Sequence, residues 1–212
     1  MQVVLGSASP ARLKVLRAAG IAPLVRVSDV DEDAVAAALH VDARPDEVVS
    51  ALASAKARAV RETFPDDAEI TDDVVVIGCD SMLLVDGRLT GKPHTADVAR
   101  AHWMSVRGRT AHLLTGHCVI RVTPGSPDVA AHAVSSTVVR FADVDEATID
   151  AYISSGEPLE VAGAFTLDGL GGWLIEGIDG DPSAVIGIGL PLVRRLLAEL
   201  GVHLSELWVH RV

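Results

Sequence analysis

The 212-residue sequence holds only two cysteines, Cys79 and Cys118. They stand far apart, with no CxxC and no Cys/His ligand spacing, which excludes a disulfide framework and offers no zinc site; two reduced thiols are expected. No apolar run approaches the ~18 to 20 residues that a membrane-spanning helix needs. Met1-Gln2-Val3-Val4-Leu5-Gly6 lacks the basic start and long apolar core of a secretory signal, so a soluble, cytoplasmic chain is expected. Positive charge is also scarce: 18 Lys+Arg face 29 Asp+Glu, a formal net charge of −11. That balance argues against a general basic surface for nucleic acid, and a polyanionic small molecule would need clustered cations or a metal. Lysine is the scarcest cation, with three residues, Lys14, Lys56 and Lys92, against fifteen arginines. A chain that otherwise prefers arginine keeps lysine where a compact, phosphate-seeking ammonium is wanted. Internal repeats and low-complexity linkers are absent, while 49% of the residues are hydrophobic. A chain of this length buries roughly 70% of its unfolded surface and folds without staples.

The chain opens as strand, loop and helix. Val3-Val4-Leu5 leads to Ser9-Pro10, a helix cap with proline at the first helical position, and Gly20 closes the helix. A second strand near residues 23 to 28 precedes the acidic run Asp29 to Asp33, and an Ala-rich helix is expected from about Pro45 to Arg61. Val74-Val75-Val76-Ile77 reads as a buried strand stopping at Gly78-Cys79-Asp80-Ser81, which puts Asp80 at a strand's C-terminal end. Asp86-Gly87 is a two-residue hairpin turn. Gly91-Lys92-Pro93 then leads to a helix from about Thr95 to Val106. Two β-rich stretches, 111 to 122 and 131 to 142, read as a second lobe, with Asp145 capping a short helix after them. Short strands and turns fill Gly163 to Gly189, and Pro191 opens a last helix.

Chemistry concentrates at a few places. Gly6-Ser7-Ala8-Ser9-Pro10-Ala11-Arg12 joins a strand to a helix N-terminus, where free N–H groups, two hydroxyls and a guanidinium suit an anion; an ordinary helix cap with a surface arginine is the alternative. Neither the GxxxxGKS/T of a P-loop nor GxGxxG is present. Asp80, beside Ser81, stands where a sheet edge carries catalytic or metal-binding carboxylates, or else simply makes a turn. Glu32 belongs to an acidic run of the kind that ordinarily is a solvated face. The eight histidines form no HxH or HExxH pair and read as structural. Cys79 reads as packing, since no base is placed beside it.

Taken in order, these segments resemble the Maf family of nucleoside triphosphate pyrophosphatases, also described as septum formation inhibitors. The resemblance spans nearly the whole chain. Ser7-Ala8-Ser9-Pro10-Ala11-Arg12 matches the family's SxSPRR, Val30-Asp31-Glu32 its VDE, Ala55-Lys56-Ala57 its KA, Gly78-Cys79-Asp80-Ser81 its strand-ending GAD element, and Gly91-Lys92-Pro93 its GKP. Gly156-Glu157-Pro158, Ala162-Gly163-Ala164-Phe165 and Gly189-Leu190-Pro191-Leu192 complete the set. The resemblance implies an α/β fold related to inosine triphosphate pyrophosphatases, with a two-lobed mixed sheet and flanking helices. It implies that residues 1–212 form one domain with two lobes around a nucleotide cleft, commonly in a homodimer; the charge balance and the lack of a long apolar run add the expectation of no nucleic acid or membrane partner. It further implies dependence on Mg²⁺ or Mn²⁺ and cleavage of a nucleoside triphosphate between the α and β phosphates. By the same resemblance Asp80 is the catalytic carboxylate and Glu32 its acidic partner, both also metal ligands, while Ser7, Ser9, Arg12, Lys56 and Lys92 hold substrate.

Three positions depart from the family pattern: Ala11, Val161 and Asp168 stand for an arginine, a lysine and a glutamine. The branch acting on 7-methylguanosine triphosphate carries an acidic residue where Asp168 stands, so Asp168 is expected to bind the base by accepting from guanine N1 and N2 protons. The alternatives are a dTTP/UTP pyrophosphatase, an Asx-type turn at Asp168, or a cell-division regulator with weak turnover.

Overall fold

The computed structural model describes residues 1–70 and 73–209. Strand β1 (Gln2–Gly6) buries Val3, Val4 and Leu5 and runs straight into helix α1 (Pro10–Ala18). Ser9 has extended backbone and its hydroxyl accepts from the Arg12 N–H, a cap of a kind worth about 1 kcal/mol, with Pro10 supplying a pre-set first helical turn. A short β2 (Leu24–Val25) follows. The acidic run is then divided by role: Asp31 caps α2 (Glu32–Ala37) by accepting from the Ala34 N–H, and Glu32 is that helix's first residue.

Helix α3 (Pro45–Glu62) buries Val49, Leu52, Ala53, Ala57 and Val60. Their three- and four-residue spacing makes one apolar stripe, and Lys56 falls on it, which carries a cation under the helix. Strand β3 (Val74–Val85) departs from the sequence expectation. It does not stop at Gly78–Ser81, because β5 (Thr110–Val122) pairs with it antiparallel without a break from Val74↔Val122 to Leu84↔His112. Asp80 therefore lies in mid-strand. At its far end β3 turns through Asp86-Gly87, both with positive φ, into β4 (Arg88–Thr90). This is the left-handed pair that a tight two-residue hairpin requires.

The remaining elements are α4 (Ala96–Val106), β6 (Val129–Phe141), α5 (Glu146–Ser154), β7 (Ile175–Asp179), α6 (Pro182–Ile186) and α7 (Leu190–Glu199). Among the described residues seven strands make one mixed sheet, ordered β2-β1-β3-β5-β6-β7, with β4 beside β3. The β-rich stretches of the second half thus extend the first half's sheet. β1 is parallel to both neighbours, and the pairs from β3 to β7 are antiparallel.

Apolar residues collect in three places. One face of the sheet packs on α3 through Val74, Val76, Cys118 and Ile120. The other packs on α1 and α7 through Val75, Ile77, Cys79 and Val119. The far end of the strands packs on α4 and α5 around Trp103, which makes edge contacts with Phe141 and Tyr152 and donates its indole N–H to the Ala164 carbonyl at 2.7 Å. No described helix is long and apolar enough to cross a membrane.

Candidate active site

The site lies where the sheet steps. β1 ends at Gly6, paired with Gly78, and β4 begins pairing only at Leu83, so the β1-side edge of β3 is uncovered between them. Side chains alternate across a strand, which sends Asp80 to the α3 face and Ser81 to the α1 and α7 face. Two glycines let α3 lie directly on its face: a Cβ at Gly78 would come within 2.4 Å of the Ala53 carbonyl oxygen, and one at Gly116 within 2.2 Å of that of Val49. Any side chain there would lift α3, and Lys56 with it, off the strand carrying Asp80.

On the α3 face, Lys56 Nζ lies 2.6 Å from Asp80 Oδ1 and 2.8 Å from Glu32 Oε1. The Lys56 and Asp80 side chains are 12% and 9% exposed, whereas Glu32 is 56% exposed on the short α2. Two carboxylates drawn this close repel unless a cation sits between them, and the ammonium meets that need at the expense of its own hydration. The same convergence bears on metal binding. Among the described residues no group of three or more His, Cys, Asp and Glu forms a ready cage. Glu32 and Asp80 nonetheless bring carboxylate oxygens together on one point, held here by Lys56 Nζ, and hard donors of this kind fit a Mg²⁺-like cation completing its shell with water and phosphate oxygens.

Across the strand, Arg12 is the hub. Its Nε donates to the Gly187 carbonyl at 2.9 Å, one terminal nitrogen to Ser7 Oγ at 3.0 Å, and the other to Ser81 Oγ at 3.3 Å. These bonds take three of the five donors of a guanidinium. Ser81 Oγ stands 3.1 Å from Thr115 Oγ1, which donates to the Ala184 carbonyl at 3.2 Å. Ser7 is nearly buried, and its hydroxyl also accepts from the Ser9 N–H. Sequence reading named Ser7, Ser9 and Arg12 but gave no signal for Thr115 or for His117, whose Nε2 accepts from the Gly189 N–H at 2.8 Å. Burial, with the Arg12 charge adding to it, pushes the His117 pKa down to about 4.

A family model described as Maf-like protein matches residues 2–200. The chain belongs to the Maf family. Among its relatives, a nucleoside triphosphate pyrophosphatase of Nocardia farcinica is 61% identical over 208 residues, 98% of this chain and 97% of that protein. One of Rhodococcus jostii is 62% identical over 205 residues, 97% and 95% of the two chains. A solved structure of a nucleoside-triphosphatase / dITP/XTP pyrophosphatase from Mycobacterium abscessus aligns over 97% of this chain and 100% of that one at 13% identity, with a TM-score of 0.33.

The residues singled out by the Maf resemblance separate into three sets. Glu32, Lys56 and Asp80 form one cluster, and Ser7, Ser9 and Arg12 sit together beyond the end of β1. Lys92 and Asp168 have polar partners outside both. Lys92 Nζ is 4.0 Å from Glu160 Oε2 and half exposed. Asp168 Oδ2 accepts from Lys14 Nζ at 2.8 Å, so this lysine is spent on an ion pair. Of the eight histidines, His117 and His102 are buried, five others are exposed, and His210 lies outside the described residues.

Proposed function

We propose that this Maf chain is a metal-dependent nucleoside triphosphate pyrophosphatase that cleaves the α–β phosphoanhydride, giving nucleoside monophosphate and pyrophosphate in one step. The observation carrying the reading is the buried Lys56 ammonium between Asp80 and Glu32, set across one strand from Arg12. In a chain of net charge −11, Arg12 offers a triphosphate a positive charge held by neutral groups, and the names of the close relatives agree with a nucleoside triphosphate pyrophosphatase.

Each residue then has a task. Arg12, with Ser7, grips phosphate oxygens through its remaining donors, and Lys56 and Lys92 offset further phosphate charge. Asp80 orients a water towards the α-phosphorus and takes its proton as the new P–O bond forms. The bond from the α-phosphorus to the bridging oxygen breaks, and pyrophosphate leaves with that oxygen. Glu32 and Asp80 would hold the divalent cation, which supplies charge neutralisation for the leaving group. Pyrophosphate and monophosphate release across a nucleotide panel, lost in EDTA and restored by Mg²⁺ or Mn²⁺, is the expected result. Orthophosphate with a nucleoside diphosphate contradicts it, and no turnover anywhere on the panel leaves the division-regulator reading in place.

For the base we propose a guanine-type substrate such as 7-methyl-GTP, bound through Asp168, in the cleft between the two lobes. The Lys14 contact favours the competing dTTP/UTP reading, because an ammonium already occupies Oδ2 and leaves Oδ1 as the free acceptor.

A further inference from the structure

Arg12 is useful to an anion only if its fork is held still, and α1 alone does not hold it. Its Nε partner, the Gly187 carbonyl, lies 175 residues away in the turn between α6 and α7. That turn is fastened to the sheet at two points by neighbouring side chains on one face of β5. Thr115, fully buried, donates to the Ala184 carbonyl within α6, just ahead of the turn, and His117, also fully buried, accepts from the Gly189 N–H at the turn's end. Gly187 lies between the two anchors. Because His117 Nε2 accepts, the ring is neutral with its proton on Nδ1, and Nδ1 is buried with no partner among the described residues. The bond to Gly189 is the ring's short hydrogen bond.

We infer that His117, with Thr115, is a positioning residue for Arg12: the two side chains fix the 184–189 segment, from α6 through the turn, so that the Gly187 carbonyl aims the guanidinium at bound phosphate. This inference rests on the phosphate-binding role proposed for Arg12. The neutral ring suits the task, since a protonated imidazole would turn Nε2 into a donor facing another N–H and release the turn. Thr115 reaches Arg12 by a second route as well, because Ser81 Oγ, which accepts from Arg12, is itself held against Thr115.

The test is a double-mutant cycle on the full chain, reading the Kd for inorganic tripolyphosphate by calorimetry together with KM and kcat for GTP and dTTP. His117→Leu is expected to raise Kd and KM by ~10-fold while kcat changes less than ~3-fold, and His117→Gln, whose amide oxygen reaches the Nε2 position, to restore most of the loss. In an Arg12→Ala background the His117→Leu effect should shrink below ~2-fold, since residues acting as one unit are not additive. If the leucine variant does not fold, Thr115→Val runs the same cycle from the other anchor at nearly constant volume. Equal factors in both backgrounds, or no effect of His117→Leu beside a normal Arg12→Ala effect, overturn the positioning role alone. Absence of tripolyphosphate binding, or binding indifferent to Arg12→Ala, overturns the functional reading and this inference with it.

Discussion

The two faces of β3 hold their cations in opposite ways. Lys56 sits between two carboxylates, Glu32 and Asp80, so its cluster carries one net negative charge. Arg12 is held by two hydroxyls and a backbone carbonyl, all neutral, and keeps its full positive charge. One strand thus presents a surplus of negative charge on one side of the step and of positive charge on the other. In Coulombic terms the first invites a cation and a water to be activated, and the second invites phosphate. A divalent cation carrying a triphosphate would find both halves matched across a single strand.

Removing the surplus on the α3 face should have the largest effect. Asp80→Asn keeps the shape and one acceptor for Lys56 but cannot take a proton and binds a metal poorly. Pyrophosphate release should fall ~100 to 10,000-fold with little change in thermal stability. Near-normal turnover by a folded Asp80→Asn protein would remove Asp80 from the chemistry. Lys56→Ala comes next, at ~10 to 1000-fold, because it removes a charge-assisted contact and leaves two carboxylates facing each other. Relief of that repulsion by added Mg²⁺, read as a larger metal-induced rise in melting temperature than in the unmodified chain, would sharpen the contrast; an unchanged rise would show that Glu32 and Asp80 do not share a cation.

Much of the α3 face was legible in sequence because its cues are local. The apolar stripe of α3 locates Lys56, the run from Val74 to Ile77 locates β3, and lysine scarcity singles out the ammonium. What could not be read was that β3 continues through Asp80-Ser81. Two polar residues after glycine look like a strand end, and only the unbroken pairing with β5 overrides that pattern. The Arg12 face was legible only to the cap. Its partners Ser81 and Gly187 lie 69 and 175 residues away, and no periodicity encodes such contacts. The role of His117 was equally hidden, since a lone histidine in an apolar strand carries no motif.

The neutral partners of the Arg12 face also give it a pH signature. The unfolded chain protonates His117 near pH 6.5, whereas the folded chain resists until about pH 4. Above pH 6.5 the ring is neutral in both states and adds no pH dependence. Between 6.5 and 4 the unfolded chain binds the extra proton, so folding stability declines as pH falls, by roughly 3 kcal/mol in total, and this contribution levels off below 4. His102, also buried with a lowered pKa, acts in the same direction. Denaturant unfolding between pH 7 and 4 should show this slope and should show it reduced in His117→Gln. An identical slope in the variant would mean that the ring is not held neutral by the fold.

The smallest effect is expected where charge is already paired and exposed, at Lys14 and Asp168. This pair differs from both faces of β3: it is a single ion pair with Lys14 69% exposed, and pairs of that kind contribute little to stability. Its use, if Asp168 meets the base, lies in selectivity. A carboxylate accepts from guanine N1 and N2 protons but faces the O2 and O4 acceptors of uracil or thymine unfavourably, whereas a glutamine amide can donate to them. Asp168→Gln should then move the kcat/KM ratio of 7-methyl-GTP over dTTP towards dTTP by ~10-fold or more. Lys14→Ala should move it the other way by a smaller factor, because it frees Oδ2 to accept a second guanine proton. If both variants leave the ratio unchanged, the pair is a surface contact and the guanine reading falls. If the unmodified enzyme already prefers dTTP or UTP, the ammonium has cancelled the charge on which that reading depends.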